Sequence, residues 1–324
     1  MQALACPQCG GALPKQARWR TVQCPFCDSS ITLARNVVHA AEFRAAWLRT
    51  KAAASSAAAG KPRLQIQNQT YQVQAQLGFG EHHSVLLAER LGPLAERVVI
   101  KLAHADLGAG ASAAAPAGAT ELRLQHETQI LQQLQADTSP PAAYFSQRLP
   151  QAVCFGSAKT AAGAEHAALV FRHPTGFWGS LDVVRQHYPK GVDARHIIWM
   201  WRRVLEVLGY LHDIGWAHGR ITPDHLLVHP RDHGILLIGW AKAQFHAKPD
   251  PAACVRDLMQ SAAAISALMP VDAPKPLLTF MQNGRNDPNF CQHHGARGLD
   301  RAIKDLARTL FGPARFVEFN PDPH

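Results

Sequence analysis

The sequence predicts an α+β chain with a strand-rich first part, a helix-rich second part and a small cysteine-bearing module ahead of both. Three observations carry this. Alternating apolar runs around a glycine turn crowd into residues 71–104. After residue 190 apolar residues recur at helical spacing, through 193–219, 256–269 and 299–312. Two C-x-x-C pairs stand within the first 27 residues.

The chain has 324 residues, 47% hydrophobic and 18% charged, enough for one large domain with a sizeable core and a small companion. No apolar run approaches the ~20 residues of a membrane helix, and the N-terminal MQALACPQCG lacks a signal peptide's apolar stretch. No membrane partner is expected. Seven cysteines, four of them in C-x-x-C pairs, suit a reducing cytoplasm and a metal better than a disulfide framework. A net charge of +9 admits an acidic partner, nucleic acid included, although the basic residues are scattered and form no block. The Ala- and Gln-rich composition has a bacterial character.

At the front, CPQCGGALPKQARWRTVQCPFC places Cys6, Cys9, Cys24 and Cys27 in two C-P-x-C knuckles. Four thiolates satisfy tetrahedral Zn²⁺ and leave no open position, so the metal is expected to be structural. A redox C-x-x-C would sit in a strand–helix–strand pattern, which is missing around both pairs. The module, residues 1–35, resembles a zinc ribbon, a fold that binds nucleic acid in some proteins and protein in others. Residues 36–65 then read as a connecting helix, with Val38, Phe43, Ala46 and Trp47 on one face, followed by the Ser/Ala/Gly/Pro linker SSAAAGKPR at 55–63.

From residue 66 the elements run in a definite order. YQVQAQLGFGEHHSVLLAER is strand, glycine turn, strand, with Gly78 and Gly80 in the turn and Val85 beyond it. RVVIKLAH is a strand whose apolar run ends in Lys101, an ammonium that requires a partner if buried. TELRLQHETQILQQLQ is a helix with Leu124, Ile130, Leu131 and Leu134 inward and Glu127 as the natural ion partner for Lys101. AALVFRHPTGFWGSL is a strand leading to a short helix opened by GSL, and the long amphipathic helix of 193–219 is expected to bury Leu205, Leu208 and Leu211. It ends in Y-L-H-D-I-G-W-A-H-G.

In this order the landmarks of residues 66–324 resemble a bacterial protein kinase-like domain. The resemblance implies a bilobal α+β fold, an antiparallel sheet plus one helix followed by a trimmed helical lobe. It implies a nucleotide pocket lined by Gly78, Gly80, Val85, Lys101 and Glu127, with His83 at the loop's third glycine. It also implies Phe171 as gatekeeper and backbone groups of Arg172 to Pro174 facing an adenine.

The catalytic loop of that family reads H-R-D-L-K-P-x-N-L-L, and here it is HGRITPDHLL from His218 to Leu227. The framework residues are kept while the chemical ones change. Arg220 stands at the aspartate, Thr222 at the lysine, His225 at the metal-binding asparagine, and Gly239 of GWA at the aspartate of D-F-G. An arginine does not serve as a base, and glycine has no metal-binding side chain. Asp224, one turn away, is the candidate substitute for the missing base. Only 18 residues separate Gly239 from Asp257, too few for a full activation segment.

The expected reading is therefore a pseudokinase, not an enzyme: a scaffold or allosteric regulator with a protein partner, a structural zinc, and ATP or another nucleotide held without Mg²⁺. Two alternatives stay open, a divergent kinase-fold enzyme using ATP in a non-standard way and a zinc-ribbon adaptor on nucleic acid. Elsewhere, Cys154 and Cys254 read as packing groups, and Trp199 and Trp201 as core plus interface. NGRNDPNFCQHHGARG at 283–298, with Cys291, His293 and His294, reads as a polar surface loop.

Overall fold

The computed structural model describes residues 21–24, 27, 30–32, 61–80, 82–92, 95–104 and 118–322. Cys6, Cys9 and the connecting helix of 37–53 lie outside them. At the front, strands β1 (Thr21–Gln23) and β2 (Ser30–Thr32) form an antiparallel hairpin, Val22 opposite Ile31. Cys24 and Cys27 between them are buried.

Beyond the hairpin the contacts divide the described chain into two compact units, one from residue 61 to Thr128 and from Gln151 to His173, the other holding Gln129–Pro150 and residues 174–322. The first is a six-stranded antiparallel barrel in the order β3-β4-β5-β6-β8-β7. Its strands are β3 (Arg63–Ile66), β4 (Gln69–Phe79), β5 (His83–Leu91), β6 (Glu96–Ala103), β7 (Ala152–Thr160) and β8 (Glu165–Arg172). The sequence predicts a sheet here, and the finding is a closed one. Closure depends on β3, whose Leu64 lies opposite Tyr71 of β4 on one side and Thr160 of β7 on the other. This strand starts at Arg63, the last residue of the segment read as linker. Its alternation of exposed Arg63 and Gln65 with buried Leu64 and Ile66 is the half-buried strand pattern. Inside, Leu64, Ile66, Tyr71, Val98, Ile100 and Val170 form the core. Closing a barrel also removes the open edges that a sheet would present to other chains.

Helix α1 (Ala119–Gln135) follows β6 and buries Leu124, Ile130, Leu131 and Leu134, the face its periodicity predicts. A short turn of helix, α2 (Ala142–Phe145), leads back to β7.

The second unit is mainly helical. Helix α3 (Leu181–His187) starts where the Ser180 hydroxyl accepts from the Val183 N–H, so GSL opens a helix as expected. Helix α4 (Ala194–Asp213) is capped by the Asp193 carboxylate, which accepts from Arg195 N–H, and it buries Leu205, Leu208 and Leu211. Both Trp199 and Trp201 are core, against the expectation of one interface residue: Trp199 donates to His196 Nδ1 at 3.0 Å and Trp201 to Ser261 Oγ at 3.0 Å. Short strands β9 (Gly179–Ser180), β10 (Trp216–Ala217), β11 (Leu226–His229), β12 (Gly234–Leu237) and β13 (Gln244–Phe245) frame the loop between α4 and α5 (Pro251–Ser266).

Helices α6 (Lys275–Asn286) and α7 (Pro288–Phe311) complete this unit. They overturn the reading of 283–298 as a surface loop. Asp287 accepts from the N–H groups of Asn289 and Phe290, Pro288 takes the first helical position, and Cys291 is buried with its thiol on Gly284 O at 3.1 Å. Composition pointed to a turn, while capping and burial make a helix start. Gly295, at φ 59° and ψ 177°, interrupts α7 in the middle.

Candidate functional site

On the barrel unit the functional candidates gather around one ion pair. Lys101 stands on β6 opposite Val85 of β5, and its ammonium donates to both Glu127 carboxylate oxygens, at 2.7 and 2.8 Å. Glu127 is 2% exposed and Lys101 12%, so the pair is close to dry. Burying one charge alone costs several kcal/mol, and this two-fold contact offsets much of it. The pair was legible in the sequence, from a lysine ending an apolar strand and a glutamate on the next helix. Phe171 on β8 lies 5.5 Å from the ammonium by its ring centroid, a cation–π contact.

The glycine turn joins β4 and β5. A Cβ at Gly78 would meet nothing nearer than Val85 Cβ at 3.9 Å, and the Gly80 N–H donates to His83 O at 2.9 Å. At the tip Phe79 is 74% exposed and stacks on His104, centroids 4.4 Å apart. The N–H groups of Arg172 and His173 do not serve an adenine, because they are donated within the barrel to Gln151 O at 2.9 Å and Arg97 O at 3.3 Å.

In the helical unit the segment His218 to Gly239 is held by a carboxylate that sequence reasoning left without a role. Asp257 on α5 is fully buried and accepts the His218 N–H at 2.7 Å and the Gly219 N–H at 2.8 Å. His212 Nε2 lies 3.3 Å from the same carboxylate. Burial alone would lower the His212 pKa, yet hydrogen bonds to Asp257 and Cys254 raise it to about 9. Next in the loop, the Ile221 N–H donates to Gln260 Oε1 at 2.8 Å. His218, 0% exposed, bonds Ile238 O through Nε2 at 3.1 Å and accepts the Arg220 N–H at Nδ1. Two backbone partners thereby set its tautomer.

Positions 225 and 239 are coupled. His225 places Nδ1 2.9 Å from Arg220 O, so the ring nitrogen donates, and its ring then lies beneath Gly239. A Cβ at Gly239 would meet three His225 ring atoms at 2.6–2.7 Å, and φ of 86° already favours glycine there. A side chain at 239 would require the His225 ring to give up its place and its Nδ1 bond, so the two positions pack as one unit. Trp240, fully buried, donates to Leu237 O at 2.9 Å and packs edge-on to His218 at 4.8 Å. It is part of the core of its own unit. The Arg220 and Asp224 side chains are exposed, with an Asp224 oxygen 3.6 Å from His225 Nε2.

Among the described residues no three His, Cys, Asp or Glu side chains gather as a metal set. Of the four predicted zinc ligands two, Cys6 and Cys9, fall outside those residues. None of the described helices is long and apolar enough to cross a membrane.

Residues 118–262 match the lipopolysaccharide kinase (Kdo/WaaP) family model. The match takes in Glu127, the whole loop from His218 to Gly239 and the Asp257 clamp. No curated protein matches the chain. The fold is accordingly kinase-like, with a barrel and a helical unit. The match also overturns the expectation that the chain is not an enzyme, since the family is one of lipopolysaccharide kinases. That expectation rested on residue identities at positions 220, 225 and 239. Phosphoryl transfer depends mainly on positioning and charge compensation, and those three positions do not exhaust the ways to supply either.

Proposed function

We propose that this chain is a kinase-fold phosphotransferase that binds a nucleoside triphosphate on its barrel unit and transfers the terminal phosphoryl group to a hydroxyl of a lipopolysaccharide-type glycan. The single observation that carries this reading is the buried Lys101–Glu127 pair, whose desolvation leaves little net gain in stability, so that an ammonium held there points to a use in binding. Glu127 fixes the ammonium, Lys101 meets the phosphates, and Gly78 and Gly80 let backbone amides approach them. Val85 and Phe171 give apolar contact to the nucleotide.

In the transfer step the acceptor oxygen forms a bond to the γ-phosphorus while the bond to the nucleoside diphosphate breaks, and the acceptor's proton passes to solvent. Charge compensation comes from the Lys101 ammonium of the barrel unit. The glycan acceptor is suggested by the family's name alone. The N-terminal module holds a structural zinc on Cys6, Cys9, Cys24 and Cys27 in the same reading.

The test is transfer of label from γ-labelled ATP to purified lipopolysaccharide, with and without Mg²⁺. Incorporation is expected in the wild type, and a loss of at least 100-fold in Lys101→Met. Incorporation that survives Lys101→Met unchanged would overturn the assignment of the nucleotide site. Binding of nucleotide without transfer to any glycan would overturn the acceptor class.

A further inference from the structure

One residue beside Lys101 has chemistry that a glycine at its position would lack. In the ladder between β5 and β6, Val85 pairs with Lys101 and His83 with Ala103. Side chains two apart in a strand share a face, so His83 stands on the same face as Lys101, one pleat towards the glycine turn. Its cross-strand neighbour is an alanine, which leaves room for a ring. The turn passes close by: a Cβ on Gly80 would lie 3.4 Å from His83 O and 3.9 Å from His83 Cε1. An imidazole thus stands between the glycine turn and the ammonium that our reading gives to the phosphates.

The groups around this imidazole are Lys101, Glu127, His104 and His82. Burial and then the Lys101 charge lower the His83 pKa to about 4, Glu127 opposes them, and the two histidines add to the lowering. The ring is therefore neutral near neutral pH. A phosphate oxygen placed about 4 Å away would favour the protonated ring by about a thousandfold at an effective dielectric near 20.

We propose that His83 is a phosphate ligand charged by the nucleotide itself: its imidazole takes up one proton from solvent as a nucleoside polyphosphate seats beside Lys101, and the resulting imidazolium shares the phosphate charge with that lysine. The inference rests on the reading that the barrel unit binds a nucleotide. A neutral ring avoids placing two cations side by side while the site is free. An ionised one supplies positive charge without a metal. The sign follows directly. Bound His83 has a higher pKa than free His83, so nucleotide affinity rises as pH falls towards about 4, by up to tenfold per pH unit, and then levels.

The experiment is calorimetric titration of the full chain with ATP at about pH 6, in two buffers of different ionisation enthalpy, which reads protons taken up per nucleotide bound. Wild type is expected to take up close to one proton more than His83→Gln, which removes the nucleotide's own protonation from the comparison. His83→Gln should bind ATP at least tenfold more weakly at that pH and nearly as well as wild type above pH ~8. His83→Gly is a second variant that restores a glycine-rich turn and should lose the proton in the same way. His104→Gln should keep it. Equal proton uptake in wild type and both His83 variants, with ATP still bound and Lys101→Met still defective, would overturn this proposal and leave the nucleotide site intact. Loss of the proton in His104→Gln instead would reassign it away from His83 and equally overturn the proposal. A wild type that binds no ATP would overturn the nucleotide reading and this inference together.

Discussion

Gly239 and His225 show how one residue's freedom is set by another. The ring of His225 is tethered by Nδ1 to Arg220 O and occupies the space that a side chain at 239 would need. Gly239→Asp is expected to destabilise the protein by about 2–4 kcal/mol, from the clash and from a non-glycine residue at positive φ. His225→Ala in the same background should return the steric part, and the backbone part should remain. Urea denaturation of the two single variants and the double variant measures this as a double-mutant cycle. Additive effects would mean that the ring does not sit under Gly239. The sequence displayed both substitutions but not their connection, because residues 14 apart in the chain show no local sign of contact.

At the scale of elements, α5 acts as the clamp for the loop that follows β10. Its buried Asp257 takes two backbone N–H groups and the His212 ring at once. Removing that carboxylate leaves buried donors unsatisfied, at about 1–3 kcal/mol each. Asp257→Ala should therefore speed amide hydrogen exchange at His218 and Gly219 well beyond its effect on the barrel strands. The His212 contact adds a pH dependence. Its pKa in the fold, about 9, lies above the ordinary 6.5, so its contribution is complete below pH 6.5 and lost as pH rises through about 9. The stability gap between wild type and His212→Gln is expected to be on the order of 2 kcal/mol larger at acid-to-neutral pH than above pH ~9. Thermal or urea unfolding across that range checks the sign.

The same scale explains where element prediction failed. The stretch 283–298 holds three Asn, three Gly, two His and one Pro and reads as a loop, yet Asp287 and Pro288 are a helix cap and first turn. These residue types serve both ends, and what decides is burial of Cys291 before the Gly295 kink and of Ala296 and Leu299 after it. By contrast the inward face of α4 was legible, but its end was not: the helix stops at Asp213 and not at residue 219, because Gly215 takes a positive φ of 83° and strand β10 follows.

For the molecule as a whole, the zinc we propose at the front is the assignment most open to direct measurement. Four thiolates in two knuckles predict one tightly held Zn²⁺ per chain, and metal analysis of the purified protein should return that ratio. Cys24→Ser or a strong chelator is expected to remove the metal and unfold the N-terminal module, because metal binding supplies most of the folding free energy of so small a unit. The barrel should be indifferent to that loss, its core being built from its own strands. Retention of full zinc content by Cys24→Ser together with Cys6→Ser would refute the ligand set.

By itself the sequence determined the order and type of most elements and the inward faces of α1 and α4, which are encoded within a few residues in periodicity and caps. It also marked Lys101 and Glu127 as partners, because a charge on an apolar strand must be paired when buried. Only the tertiary structure decided that β3 closes the barrel, that Asp257 holds the loop, that His225 fills the space beside Gly239 and that His83 shares a face with Lys101. Those facts depend on strand register and on contacts between distant segments. Register is set by the packing of the whole core, so no window of local sequence contains it.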